Sequence, residues 1–368
     1  MPPENLHLLI KPASGACNMR CGYCFYASLA EGGAPSGQIM TPQTAELVIA
    51  RAAETGARRI CFAFQGGEPT LAGLPWFRRF TELAAARLPA GTRVEYHLQT
   101  NGLAINQEWA EFLAAHGFLV GLSVDGTREI HDRLRPDAAG KGTYGRVLTA
   151  ARTLMAAGVE TNALCVVSAL SARHGAALYN GLKKAGFRHL QFIPCVEDFG
   201  GSPLPPLTAE GYLTFLRAIF PLWYRDLREG NYVSVRYFDN LVHMVSGREP
   251  EACGMQGYCP GQLIVESDGR VYPCDFYVLP ELVCGDLAKQ TLAEIVSSPV
   301  RQKFCRESLE PHPDCPGCPV AVLCRGGCRR DRQTDPALPP GKNRYCGAYR
   351  QFLSEVLPAL CDIRDHMQ

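Results

Sequence analysis

The chain has 368 residues, long enough for a main domain plus an appendage, and its 37 Lys and Arg nearly balance its 36 Asp and Glu, for a formal net charge of +1. That balance leaves no electrostatic footprint for nucleic acid or a polyanionic surface, so neither is expected as a partner. No apolar run is long enough to span a bilayer, and Met1-Pro2-Pro3-Glu4 lacks the basic and apolar regions of a secretory signal, so a cytoplasmic protein with no membrane partner is expected.

The first predicted strand, Leu8 to Lys11, leads into Cys17-Asn18-Met19-Arg20-Cys21-Gly22-Tyr23-Cys24. Short runs rich in apolar or β-branched residues then recur at Arg59 to Phe64, Val94 to Thr100, Leu119 to Val124, Val159 to Val167 and Leu190 to Pro194. Amphipathic stretches separate them at Pro42 to Glu54, Pro75 to Arg87, Gln107 to His116, Tyr144 to Ala157 and Ala172 to Gly186. Six βα units in a row imply a parallel sheet with right-handed crossovers, two units short of an eightfold barrel. Periodicity alone does not separate a partial barrel from an open doubly wound sheet. From Val233 onward Gly, Pro and Cys crowd in and the βα rhythm fades, which places a domain boundary at 232/233 and a C-terminal helix at the end of the second part.

Seventeen Cys would suit a small disulfide-stapled domain, but this chain has ample core and no secretory signal, so clustered Cys are better read as metal ligands. The C-x-x-x-C-x-x-C loop at Cys17, Cys21 and Cys24 supplies three thiolates and leaves an iron–sulfur cube one ligand short, which opens one iron to a small molecule. Zinc competes for these thiolates, although zinc knuckles use two Cys pairs, or Cys with His, and no His lies in this loop. Gln65-Gly66-Gly67-Glu68-Pro69 follows the second strand directly; two glycines there allow a close backbone approach, in a tight turn or against a ligand. The late segment carries Cys253, Cys259, Gly269, Cys274, Cys315-x-x-Cys318, Cys324-x-x-x-Cys328 and Cys346.

The Cys loop with its trailing aromatic residues, followed one strand later by Gly-Gly-Glu-Pro, resembles the radical S-adenosylmethionine (SAM) family. The resemblance implies a partial (β/α)6 barrel with its site at the C-terminal strand ends, and SAM on the open iron of a first [4Fe–4S] cluster. It further implies SAM contacts from Tyr23, Gly66, Gly67, Glu68, Ser123, Arg135 and Val196. Tyr23, Ser123, Arg135 and Val196, taken singly, also suit ordinary turn or core chemistry. The late Cys signature resembles the SPASM extension, which binds two auxiliary [4Fe–4S] clusters. By that pattern Cys253, Cys259, Cys274 and Cys328 hold one, and Cys315, Cys318, Cys324 and Cys346 hold the other. Cys61, Cys165, Cys195, Cys284, Cys305 and Cys361 are left without assigned chemistry, and Cys61 and Cys165, inside apolar strands, read as small buried hydrophobes. Without metal the extension is expected to have little regular core.

Within SPASM proteins the chain is most similar to the anaerobic sulfatase-maturating enzymes, through Leu9 to Ser14, Phe62 to Thr70, Val235 to Asp239 and Tyr272 to Leu279. The resemblance implies oxidation of a Cys or Ser side chain, in a C/S-x-P-x-R-type segment of an unfolded sulfatase, to formylglycine, with an electron donor such as flavodoxin or ferredoxin. Hydrogen-atom removal from the β-carbon must be followed by loss of one proton and one electron, so a base and an acceptor are needed. Asp275, beside the predicted ligand Cys274, is the candidate base, and its plainer reading is a solvated turn residue. Tyr26, Gln65 and Gln99, at or near strand ends, are candidate substrate contacts. A crosslinking maturase of ribosomal peptides would share the clusters, a ferredoxin-like carrier would have no use for the open cluster or the Gly-Gly-Glu-Pro segment, and a zinc-scaffolded interaction protein would be set apart by its metal content.

Overall fold

The computed structural model describes residues 3–26, 38–196, 199 and 204–366. In chain order the regular elements begin with β1 (Asn5–Ile10), α1 (Pro42–Glu54), β2 (Arg59–Phe64), α2 (Leu74–Arg87), β3 (Arg93–Thr100), α3 (Gln107–Ala115) and β4 (Leu119–Ser123). Next come α4 (Arg128–Leu134), α5 (Tyr144–Ala156), β5 (Glu160–Val167), α6 (Gly175–Lys184), β6 (His189–Pro194), α7 (Ala209–Arg228), β7 (Ser234–Val235) and α8 (Arg236–Val245). The remainder is β8 (Ile264–Val265), β9 (Arg270–Tyr272), β10 (Gly285–Asp286), α9 (Leu292–Val296), α10 (Pro299–Leu309), α11 (Ala321–Cys324) and α12 (Cys346–His366). None of the helices among the described residues is long and apolar enough to cross a membrane.

Two compact units divide the chain otherwise than at 232/233. The first comprises Met1–Ser123, Arg135–Thr161 and Gly261–Phe304; the second comprises Val124–Leu134, Asn162–Pro260 and Cys305–Gln368. In the first, the strands lie in the order β10-β9-β8-β1-β2-β3-β4. β1 to β4 pair in parallel, and β8 adds in parallel to the other edge of β1, with Leu9 opposite Ile264 and Ile10 opposite Val265. β9 and β10 continue antiparallel. The pleat explains the core. Leu6, Leu8, Ile10, Ile60, Phe62, Phe64, Tyr96 and Leu98 pack with Val48 and Ile49 of α1 and Phe77 and Phe80 of α2. Each such large apolar side chain contributes roughly 1.5–3 kcal/mol on full burial. His7, Leu9 and Lys11, and likewise Cys61, Ala63 and Gln65, alternate onto the other face. Thr41 caps α1 by accepting the Thr44 N–H at 3.1 Å, and Asn106 caps α3 by accepting the Trp109 N–H at 3.0 Å.

In the second unit β5, β6 and β7 run parallel in that order. The βα rhythm therefore continues past Val233, through β7 and α8. Two residues of strand are too few to show a period, which is why the sequence pattern misses them. The extension also has more regular core than expected. Phe352 and Leu360 of α12 are fully buried, and the Phe352 ring stands 5.7 Å from Phe220 of α7 and 6.0 Å from Phe238 of α8.

Candidate functional site

Past β1 the chain turns through Ser14 N–H to Lys11 O at 3.2 Å and Ala16 N–H to Ala13 O at 2.9 Å, and so delivers Cys17. Ser14 sits at φ 50°, a left-handed conformation that costs an L residue energy and needs outside support. The support comes from the segment after β2: Gly67 N–H donates to Ser14 O and Glu68 N–H to Ala16 O, both at 2.7 Å. The approach leaves no room for side chains. A Cβ on Gly67 would lie 2.1 Å from Ala16 O, and one on Gly66, at φ 135°, would lie 2.7 Å from Ser14 O. The two glycines thus seat the Cys loop by letting two stretches of backbone meet.

Glu68 extends that seat to β3. Its buried carboxylate accepts from Thr70 N–H at 3.0 Å, Thr70 Oγ1 at 2.6 Å, Thr100 Oγ1 at 2.7 Å and Asn101 N–H at 2.7 Å. Burial pushes this carboxyl above its ordinary value, against the pull of those four bonds. Asn101 Nδ2 in turn donates to Asn18 Oδ1 at 2.7 Å and stands 3.8 Å from Cys17 Sγ. Cys17, Cys21 and Cys24 are half-buried, and the Met19 N–H points at Cys17 Sγ from 3.4 Å. Burial raises the Cys17 thiol, so a bound cation would be needed to keep it a thiolate. Three thiols on one loop, with N–H donors aimed at sulfur, fit the open cluster in donor chemistry.

Tyr23 and Arg135 come together, the guanidinium carbon 5.2 Å from the ring centroid. Ser123 is the last residue of β4 and is buried; Val196 lies two residues beyond β6, in the second unit. Gln99 is half-buried near the end of β3.

Asp275 is no solvated turn residue. It is buried, at the start of the short turn Asp275–Tyr277, and both carboxylate oxygens are engaged. Lys11 Nζ, fully buried, donates to Oδ1, and Gln65 Nε2 donates to Oδ2 at 2.6 Å. The Lys11 ammonium also lies 3.6 Å from the centroid of the Tyr26 ring. Tyr26 OH donates to Glu266 Oε1 at 3.3 Å and Ser14 Oγ to Glu266 Oε2 at 2.5 Å. Burial raises the Glu266 carboxyl, and the positive charge of Lys11 opposes that shift. The β8–β1 pairing makes this possible, since it brings the segment carrying Glu266 and Asp275 beside Lys11. Lys11, Ser14 and Glu266 were missed as site residues. The available signal was a Lys ending an apolar strand, because a buried Lys requires a partner.

In the second unit Cys315, Cys318, Cys324 and Cys346 line one cavity of about 280 Å³. Burial pushes the Cys324 thiol up to about 11, and the other three thiols add to the shift. Four convergent thiols suit a fully ligated cluster. Gly254, next to Cys253, lies against Cys328, since a Cβ on it would lie 3.4 Å from Cys328 Cβ; Cys253 adds to the raising of the Cys259 thiol, which burial chiefly drives to about 11. Cys274 belongs to the first unit.

Residues 12–170 match the radical SAM superfamily, and residues 257–319 match SPASM, an iron–sulfur cluster-binding domain. The chain is 40% identical over 363 residues to a cysteine-type anaerobic sulfatase-maturating enzyme of Clostridium novyi, covering 97% of this chain and 96% of that protein. It is 34% identical over 364 residues to a serine-type anaerobic sulfatase-maturating enzyme of Klebsiella aerogenes, covering 97% and 87%. The solved structure of native anSMEcpe with bound AdoMet and Cp18Cys peptide matches with a TM-score of 0.93 at 39% identity, covering 99% of this chain and 100% of that one. With these full-length matches and a radical SAM core joined to a SPASM extension, the chain belongs to the anaerobic sulfatase-maturating enzymes.

Proposed function

We propose that this chain oxidises a Cys or Ser side chain of an unfolded sulfatase, in a C/S-x-P-x-R-type segment, to Cα-formylglycine. The observation that carries the reading is the arrangement of Lys11, Asp275 and Gln65, a buried carboxylate with a cation on one oxygen and an amide on the other, in the unit that holds the Cys17 loop. Residues 1–232 serve as the radical SAM core and 233–368 as the cluster-binding extension. Cys17, Cys21 and Cys24 would hold the SAM-binding cluster, with Tyr23, Gly66, Gly67, Glu68, Ser123, Arg135 and Val196 about SAM. Cys253, Cys259, Cys274 and Cys328 would hold a first auxiliary cluster, and Cys315, Cys318, Cys324 and Cys346 a second. When bound, these groups supply a 5′-deoxyadenosyl radical that takes a hydrogen atom from the substrate β-carbon, and an acceptor for the electron released afterwards.

Asp275 then takes the S–H or O–H proton, leaving a thioaldehyde that water hydrolyses or the aldehyde directly. Lys11 balances the buried charge, and Gln65 fixes the orientation of the carboxylate. Tyr26, Gln65 and Gln99 are the proposed substrate contacts. A flavodoxin or ferredoxin would supply the reducing electron, in the cytoplasm, where thiol-ligated clusters are kept from oxidation. Anaerobic incubation of the reconstituted protein with SAM, dithionite and paired Cys and Ser peptides, read by mass spectrometry, tests the reading. Loss of sulfur from the Cys peptide, or of two hydrogens from the Ser peptide with an aldehyde that reacts with hydrazine, is expected. A crosslinked peptide that retains its sulfur would favour a crosslinking maturase instead.

A further inference from the structure

On the face of the first unit's sheet that turns away from the helices, one cluster of ligating side chains lies apart from every Cys motif. His7 of β1 is directly opposite Cys61 of β2 in the parallel register, and His97 of β3 is opposite Ala63, one same-face step along from Cys61. Parallel strands at this spacing, about 4.8 Å apart, stand same-face side chains side by side. One nitrogen each from His7 and His97 and the Cys61 sulfur all lie within 4.8 Å of one another, and Cys61 Sγ stands 3.6 Å from His97 Nδ1.

We propose that His7, Cys61 and His97 form a binding site for a single divalent transition-metal ion of the zinc class. Zinc–sulfur bonds of about 2.3 Å and zinc–nitrogen bonds of about 2.0 Å, at a tetrahedral angle, place the two donor atoms about 3.5 Å apart. The Cys61–His97 separation already meets that distance, and a nitrogen of His7 lies within 4.8 Å of both. One thiolate and two imidazoles form a borderline-soft donor set, which selects zinc over magnesium or calcium. His7 is exposed while Cys61 is buried, so solvent reaches the fourth position from the His7 side. Glu95, opposite Cys61 in the register, is paired with Arg93 at 3.1 Å and Arg59 at 3.6 Å and is not needed as a ligand. Lys11 and Gln65 lie four residues further along the same strands, about 13 Å away, so the ion would tie three strands together without touching the Asp275 site.

The test equilibrates reconstituted holoenzyme anaerobically with one equivalent of Zn²⁺, desalts it over a weak chelator, and measures zinc, iron and the zinc K-edge spectrum. About one zinc per chain is expected, with one sulfur near 2.3 Å and the remaining ligands nitrogen or oxygen near 2.0 Å. Cys61→Ala and His97→Ala should each retain at least ~10-fold less zinc with unchanged iron, because each removes one of three ligands. Cys61→Ser, which keeps the size of the side chain, should show the same loss and serves if the alanine variant folds poorly. No zinc retained by the parent, zinc in all-sulfur surroundings as in a vacated cluster site, or undiminished zinc in the variants would each overturn the proposal.

Discussion

The Cys17 loop and the four-thiol cavity of the second unit both gather cysteines, but protein is organised around them in opposite ways. The Cys17 loop is seated by protein contacts, the Gly67 and Glu68 amides on Ser14 and Ala16 and Asn101 beside Cys17. Cys315, Cys318 and Cys324 instead lie in a run of turns and one short helix, and Cys346 begins α12. Three thiols on a loop held by backbone contacts can leave one iron open to a ligand, whereas four thiols can close a cluster that ties short turns to the start of a helix. On the proposed assignment, the difference would separate a site for chemistry from one for folding and electron transfer.

Removing the thiols of the open set should give the largest effect. Cys17, Cys21 and Cys24 changed together to Ala should lower iron from about twelve to about eight per chain and abolish SAM cleavage, with the protein still soluble. Retained cleavage would break the comparison at its first term. On the other side, Cys324→Ala or Cys346→Ala should give low soluble yield as well as inactivity, because metal binding there is coupled to local folding. Iron content and gel filtration decide this, and a soluble variant as iron-rich as the parent would mean that other residues ligate the cluster.

Smaller effects sharpen the chemical half of the contrast. Asp275→Asn keeps the shape and removes the base, so SAM should still be cleaved while formylglycine forms at least ~100-fold more slowly. Deuterium from a β-labelled peptide should still reach 5′-deoxyadenosine, and near-parental product would remove Asp275 from the mechanism. Gln65→Ala takes away one of the two donors on that carboxylate. A hydrogen bond to a charged group is worth roughly 1.5–3 kcal/mol, so a loss of product rate of about tenfold or more is expected, measured against unchanged SAM binding. An unaltered rate would leave Lys11 as the sole orienting partner.

Much of the regular structure was legible. The strand at Arg59–Phe64 and the helix at Pro42–Glu54 have the bounds their periodicity implies, since each is long enough to show its repeat and the helix carries its own Thr41-Pro42 start signal. β7, β8 and β10 were not legible, because two-residue strands carry no period and are defined only by the partner they pair with. Asp275 was singled out as the candidate base by its place beside Cys274 and by the family resemblance, but its burial and its pairing with Lys11 were not foreseen. Cys61 was read as a small buried hydrophobe, and its burial agrees; nothing local to the sequence announced two histidines beside it.

The sequence by itself determined what depends on short spacing: three thiols within one loop, Gly-Gly after a strand, and the grouping of Cys315, Cys318 and Cys324, which are held by the same few turns of chain. Only the tertiary structure decided what depends on pairing across long separations. Lys11 meets Asp275 across 264 residues, and Ser14 meets Glu266 across 252, because β8 completes the backbone hydrogen bonding at the open edge of β1. That pairing is made by backbone amides and carbonyls, groups every residue but proline carries in full, so the side-chain pattern of neither strand announces it.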